Sequence, residues 1–351
     1  MTIGQDYTPF PVAALVDITS NCNLNCPYCI DRYALRRGEL PTERLLMLLD
    51  ELKEVGIRSI VYFGGGEPLV HPGVSQVLLK TRQLDIDLAV NTNGVLLEKY
   101  LDIIGETSSW TRISVDAGTR EVYNRVHRLE SGNLFDRIIR SVERLATQAK
   151  GTVGLSFVLM QENIEDIYTA AKVAKSSGCD FVQFKPMYGT TEDKKYLQYF
   201  DDAENIRIGR QLTQARALVD SDFAVLTTGS LETLLERRPI NQNKTYTVCA
   251  AQQLVTLINP DGVYLCPNYR GVNTKRVGDI KTSTFQEVWL SEHRREVVCS
   301  VDPSRECNFF CLRQLVNVMV NTISDAKRQG LSLERYLVQF ADDAITDRFF
   351  L

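Results

Sequence analysis

From Pro11 to about Met187 the chain alternates short β-branched runs with longer amphipathic stretches. Residues 12–18 read as a first strand. Residues 42–55 read as a helix, with Leu45, Leu46, Leu48, Leu49 and Leu52 at helical spacing behind the starting run Pro41-Thr42-Glu43. The rhythm then repeats, with strands predicted at 59–63, 87–91, 112–115, 151–159 and 181–185. The helices predicted between them cover 74–83, 96–104, 133–149 and 164–176. Strand-then-helix repetition predicts an α/β fold, a parallel sheet with helices outside. Periodicity leaves open whether the sheet closes into a barrel. In both cases ligands meet the C-terminal ends of the strands, where the βα loops lie.

After Met187 the rhythm breaks. Residues 188–201 are polar and read as a connecting loop, 203–219 as a helix, and 223–239 carry no decisive pattern. Apolar runs 254–258 and 263–265 flank Asn259-Pro260-Asp261-Gly262, the signature of a β-hairpin. Cys249 and Cys266 flank that hairpin and are expected to approach each other near its open end. Helices are predicted over 284–298, 312–329 and 332–341. The resulting division is 1–190, a connecting segment 191–248, a cysteine-bearing unit 249–320 and terminal helices 321–351.

Composition narrows the class. The chain has 351 residues, 44% hydrophobic and 24% charged, enough for a full core and one further small domain. A net charge of −4 argues against a nucleic-acid partner, which would want a basic surface. No apolar run reaches the roughly 18 residues of a membrane span. The N-terminal Met-Thr-Ile-Gly-Gln-Asp-Tyr lacks the pattern of a secretory signal. The nine cysteines are an odd, clustered set, which fits thiolate ligation in the cytoplasm better than a disulfide framework.

Cys22, Cys26 and Cys29 carry the most chemistry. Their CxxxCxxC spacing gathers three thiolates on the loop after the first strand. Zinc sites and iron–sulfur clusters usually take four protein ligands. Three therefore suggest a cluster with one iron open to a non-protein ligand, or half of a zinc site whose fourth ligand lies far away. The histidines His71, His127 and His293 are scattered, without paired ligand spacing, and read as structural or surface residues.

These residues resemble the radical S-adenosylmethionine superfamily, and the order of the segments strengthens the resemblance. Gly64-Gly65-Gly66-Glu67-Pro68 follows the second strand, Ser114-Val115-Asp116 ends the fourth, and Val158-Leu159-Met160 ends the fifth before Asn163. The resemblance runs from about residue 17 to 185. It implies a partial (β/α)6 TIM-like barrel whose CxxxCxxC loop holds a 4Fe–4S cluster, with S-adenosylmethionine chelated at the open iron. It implies cofactor contacts from Tyr28 near the adenine, Gly65, Gly66 and Glu67 at the methionine amino group, and Ser114 and Asp116 at the ribose. Arg125 would pair with the methionine carboxylate and Val158 would line the adenine. Reduction would cleave the cofactor to a 5′-deoxyadenosyl radical that abstracts a substrate hydrogen atom, with flavodoxin or ferredoxin as the reducing partner.

The later cysteines resemble the family's twitch module, a hairpin and helix that bind one auxiliary 4Fe–4S cluster. Cys249, Cys266, Cys307 and Cys311 are the implied ligands. The CxxxC spacing of the last pair is one residue longer than the family's usual CxxC, and Cys299 is an alternative to one of them. The larger SPASM module needs about seven cysteines, two more than lie beyond residue 188. Cys179 reads as a packed core thiol, with a hydrogen-atom donor as the functional alternative. Lys185 and Tyr188 are the candidate catalytic residues, as polar contacts to substrate at the end of the sixth strand.

The cysteine count, and the short stretch before Cys22, favour a small polar substrate such as a sugar, aminocyclitol or nucleoside, undergoing oxidation, epimerisation or decarboxylation. Peptide maturation is the alternative reading, and a non-catalytic metal-binding or iron–sulfur scaffold protein is the second.

Overall fold

The computed structural model describes residues 10–31, 38–190, 195–197, 200–238, 244–307, 311 and 313–331. The strand–helix rhythm builds β1 (Ala13–Val16), β2 (Ser59–Tyr62), β3 (Asp87–Thr92), β4 (Trp110–Ser114), β5 (Thr152–Leu159) and β6 (Phe181–Pro186). All six lie side by side in sequence order, each parallel to the next. The helices between them are α1 (Thr42–Glu54), α2 (Val74–Gln83), α3 (Leu101–Thr107), α4 (Arg120–His127), α5 (Leu134–Gln148) and α6 (Ile167–Ser176).

Alternation along each strand separates two faces. On β5, Val153, Leu155, Phe157 and Leu159 enter the large core beneath the helices, joined by Phe135, Ile138, Val142 and Leu145 of α5. Gly154, Ser156 and Val158 occupy the opposite, inner face, as a period of two requires. The inner face has a smaller apolar cluster of Leu15, Val61, Ala89, Leu257 and Tyr264. Beyond β3 that face turns polar. The asymmetry decides where a polar ligand can sit.

Residues 188–201 depart from the expected loop. After β6 comes a two-stranded antiparallel ribbon of β7 (Tyr188–Thr190) and β8 (Lys195–Leu197), then α7 (Asp202–Arg216). The undecided stretch 223–239 supplies β9 (Ala224–Thr227), parallel to β6, and α8 (Gly229–Leu235). β9 has only four residues and is half-buried throughout, so its apolar pattern is too short to announce itself.

The C-terminal hairpin forms as predicted, but it joins the same sheet. A short α9 (Ala251–Leu254) leads into β10 (Val255–Asn259), which runs parallel to β1. β11 (Gly262–Tyr264) and β12 (Arg276–Gly278) then extend the edge antiparallel. The ten-stranded sheet is open, ending in β12 on one side and β9 on the other.

The single helix expected over 284–298 divides into α10 (Phe285–Leu290) and α11 (Glu292–Cys299). Ser291 sits between them in extended conformation, and its hydroxyl accepts the Arg294 amide at 3.1 Å. A serine that caps the second helix stops the first. α12 (Pro303–Glu306) and α13 (Gln314–Arg328) follow. The helix predicted over 332–341 lies outside the described residues.

Leu257 is fully buried where β10 meets β1. Leu257→Ala should cost about 2–5 kcal/mol and lower a single unfolding transition reported equally by Trp110 and Trp289. A separate early transition at Trp289 would contradict one shared sheet.

Candidate active site

The cysteine loop leaves β1 at Asp17 and returns at Leu40, whose amide donates to the Ile18 carbonyl at 3.0 Å, while the Ser20 amide donates to the Gly38 carbonyl at 2.7 Å. The neck is thereby fixed at the strand end. Within the loop, Cys22 and Cys29 are exposed and Cys26 is half-buried. Burial, with Asp116 close by, pushes the Cys26 thiol up to about 12. A metal centre overcomes this directly, because a coordinated thiol is deprotonated outright.

Behind the cysteines the glycine run makes two left-handed turns, Gly64 at φ 61° and Gly65 at φ 72°. Gly66 lies so close to the cysteine loop that a Cβ there would stand 2.0 Å from the Asn21 carbonyl oxygen. Glu67 is buried. Its carboxylate accepts from Leu69 N at 3.0 Å, Thr92 Oγ1 at 2.7 Å and Asn93 N at 2.7 Å. Burial pushes this carboxyl up to about 7 against those three donors. The Glu67 side chain therefore ties the β2 loop to the β3 loop. The next residue on that loop, Asn93, donates to Asn23 Oδ1 at 2.8 Å.

One guanidinium from the C-terminal hairpin region anchors the whole corner. Arg270 is 5% exposed. Its Nη2 donates to Asp17 Oδ1 at 3.0 Å, with Nε 2.8 Å from Asp17 Oδ2, and its Nη1 donates to Asp31 Oδ2 at 3.0 Å. Asp31 in turn accepts the Gly65 amide at 3.3 Å. Burial opposes the charge on Arg270, but Asp17 and Asp31 outweigh it and hold the group above the usual arginine range.

At the end of β4, Asp116 takes a left-handed conformation at φ 58°, uncommon for a residue with a Cβ. Its Oδ1 accepts the Val158 amide at 2.7 Å and its Oδ2 accepts the Tyr28 hydroxyl at 2.8 Å. Asn163 locks this arrangement by donating to the Asp116 carbonyl at 2.9 Å and the Val158 carbonyl at 2.8 Å. Ser114 is half-buried on the inner face. Arg125 is exposed on α4, with Nη2 donating to the Glu162 carbonyl at 2.7 Å.

His127, read from sequence as structural or surface, stands in the middle of this group. Its Nδ1 lies 3.3 Å from Cys26 Sγ and 3.2 Å from the Tyr28 hydroxyl, and its ring packs on Tyr123 at 4.2 Å. Burial lowers its pKa while Asp116 and the Val115 carbonyl oppose the shift. Its 101-residue separation from Cys26 left nothing in local spacing to find it by.

Lys185 lies half-buried on the inner face of β6 and Tyr188 just beyond, hydrogen-bonded to the Ser230 side chain. Burial, with the charge of Arg112 near, pushes Lys185 down to about 8 against the pull of Asp116. Local sequence does not mark Arg112 either, since its partners Asn91 and Gln183 lie on other strands.

The second cysteine group converges independently. Cys249, Cys266, Cys307 and Cys311 line one pocket with Tyr246, Val255, Leu265 and Tyr269. Cys266 is carried by the turn after β11, Cys307 ends α12 and Cys311 precedes α13. The Tyr269 hydroxyl lies 3.7 Å from Cys307 Sγ. Cys299 is exposed at the end of α11 and Cys179 is buried in the core; neither lines this pocket. Among the described residues no three His, Cys, Asp or Glu side chains close around one point. Four thiols lining one pocket form the four-cysteine donor set that a 4Fe–4S cluster takes. Among the described residues no helix is long and apolar enough to cross a membrane.

Comparison with known proteins agrees with this geometry. The profile of the radical SAM superfamily matches residues 16–174. The GTP 3′,8-cyclase of Chlorobaculum tepidum is 29% identical over 199 residues, 56% of this chain and 56% of the cyclase. The chain thus spans little more than half of that relative's length. The mycofactocin maturase MftC of Mycobacterium tuberculosis is 26% identical over 288 residues, 80% of this chain and 70% of MftC. Streptococcus suis SuiB bound to S-adenosylmethionine superposes with a TM-score of 0.66 at 18% identity, covering 83% of this chain and 68% of SuiB. SuiB bound to its precursor peptide SuiA gives 0.63 at 18% identity, covering 83% and 67%. At these identities the structures show a shared fold, the expected partial barrel.

Arg270→Met should destabilise the protein by about 3–5 kcal/mol, because it strands two buried carboxylates. Adding Asp17→Asn and Asp31→Asn should recover most of the loss in urea unfolding; no recovery would contradict a charge-based clamp. Lys185 should leave a pH signature. Its depressed pKa means that charging it costs stability below about pH 8, a cost relieved as pH rises toward 10.5. Lys185→Met should therefore stabilise by about 1–3 kcal/mol at pH 7 and by much less at pH 10.5. Equal effects at both pH values would contradict the assignment.

Proposed function

On the premise that residues 16–174 form a radical SAM domain, we propose that the chain is a radical enzyme acting on a peptide. The supporting observation is the reach of the similarity to MftC, a maturase, over 80% of this chain. The fold shared with SuiB, solved with a precursor peptide, supports the same reading. This replaces the small polar substrate that the cysteine count favoured. The domain's 4Fe–4S cluster and S-adenosylmethionine together supply, on one-electron reduction, the power to remove a hydrogen atom from an unactivated carbon.

The chain's own residues prepare that event. Cys22, Cys26 and Cys29 would hold the cluster, with His127 and Tyr28 packed beside Cys26. The left-handed turns at Gly64 and Gly65 would let the backbone approach the cofactor closely. Asp116, fixed by Tyr28, the Val158 amide and Asn163, offers a pre-oriented carboxylate at the strand ends. Cys249, Cys266, Cys307 and Cys311 would hold the auxiliary cluster. Lys185 and Tyr188 would supply polar contacts to the substrate.

The test is a product assay. Reconstituted protein with dithionite and S-adenosylmethionine is offered a panel of short peptides and a panel of polyols and nucleosides. A peptide mass change in step with 5′-deoxyadenosine is expected. Turnover of polyols or nucleosides alone would overturn the peptide reading. Cys266→Ala with Cys307→Ala should lower iron from about eight to about four per chain, retain cofactor cleavage and lose the peptide product.

A further inference from the structure

The inner face of the sheet between β3 and β6 carries donors without matching acceptors. Arg112, on β4, donates from Nε to Asn91 Oδ1 at 2.7 Å and from Nη1 to Gln183 Oε1 at 2.5 Å. Both acceptors are neutral amides, which orient the guanidinium and leave its charge uncompensated. On β6, Lys185 stands one inner-face position beyond Gln183, toward the C-terminal strand ends. The two cations therefore flank the level of Ser156 from below and above, near enough for the charge of Arg112 to act on Lys185, and among the described residues neither forms an ion pair. Asp116 is the acidic group that acts on Lys185, and its oxygens are occupied by Tyr28 and the Val158 amide.

Between the two strands lies Ser156 of β5, registered with Ser114 on one side and Gln183 on the other. It is 0% exposed, and its hydroxyl has no hydrogen-bond partner; the Asn91 amide nitrogen lacks one as well. Buried polar groups in folded proteins are nearly always satisfied, so an orphan hydroxyl among unneutralised cations indicates a missing acceptor. A Cβ on Gly154 would meet the Phe181 ring at 2.4 Å, so the glycine lets that ring lie against β5 at the level of Arg112.

We propose that Arg112 and Lys185, with Ser156 between them, form a carboxylate-binding subsite on this inner face. It is filled by the C-terminal carboxylate or an acidic side chain of the substrate. The identity of the carboxylate's owner rests on the peptide reading above; the anion preference rests on the geometry alone. Two convergent cations and a hydroxyl suit a planar, two-oxygen anion, which a guanidinium grips through paired bonds. Held there, one level below Asp116, a substrate carboxylate would set which neighbouring carbon faces the cofactor side of the sheet.

Calorimetric titration of the reconstituted holoenzyme with S-adenosylmethionine bound tests this without turnover. The probes are N-acetylglycylglycine as free acid and as amide, and N-acetylglutamate α-amide against N-acetylglutamine amide. One of the two acids should bind at least about tenfold more tightly than its neutral counterpart. Whichever acid does so identifies a chain terminus or a side chain as the source. The gain should vanish in Arg112→Gln and in Lys185→Met. Lys185→Met deletes a charge that has no ion-pair partner, so it folds even where Arg112→Gln loosens Asn91 and Gln183. Acids and neutral probes binding alike would overturn the subsite, as would an acid preference that survives both variants. A tenfold loss of S-adenosylmethionine affinity in the variants would also overturn it, by assigning the cations to the cofactor's own carboxylate. Because binding is read directly, failure here leaves the product assay standing, and an unmodified peptide panel leaves the subsite standing.

Discussion

The buried guanidinium of Arg270 between Asp17 and Asp31 is the constraint on which the active corner depends. Removing three charges from water is expensive and is offset only when geometry and hydrogen bonding are nearly complete. Here the requirement is met by elements distant in sequence: the end of β1, the cysteine loop and the turn after β11. None of the three can take its place alone. The clamp also explains Gly64, where a Cβ would come within 2.7 Å of Arg270 Nη2. Both candidate cofactor sites are therefore assembled together. The turn that carries Arg270 also carries Cys266, and the loop that carries Asp31 also carries Cys29.

A second theme is the division of the sheet's inner face. Near β1, β2 and β10 it is apolar and packed, with Leu15, Val61 and Leu257 in contact. Toward β4, β5 and β6 it carries Arg112, Ser156, Gln183 and Lys185. Apolar packing fills the side that holds the cysteine loop, while buried unpaired polar atoms and half-buried cations occupy the other. The left-handed backbone at Asp116 lies on the polar side, just beyond the end of β4. Asn163 and the Val158 amide hold it there, a local strain maintained by surrounding hydrogen bonds.

Much of this was legible from residue order. The strand–helix alternation located β1 to β6 within a few residues, because helices and strands impose different apolar periods. The cysteine spacings, the glycine run and the segment ending at Asp116 were visible as local patterns, and the structure brings them together at one end of the sheet. Legibility failed where information is not local. The short β9 has too few residues to show a period. Ser291 splits a helix through one side-chain hydrogen bond. His127, Arg112 and Arg270 are unremarkable in their own segments and acquire meaning only from partners about 21 to 253 residues away.

The amino-acid sequence by itself therefore determined the kind of chemistry, since thiol spacing and strand-end placement are properties of the covalent chain. Tertiary structure alone decided that the C-terminal hairpin joins β1, that one arginine clamps the cysteine loop, and that Arg112 and Lys185 lie on one polar face of the sheet. The physical reason is that hydrogen bonds, burial and Coulomb interactions depend on distance in space, which chain order does not encode directly. A charged side chain can be solvated, paired or awaiting a ligand, and only its neighbours in the fold distinguish the three.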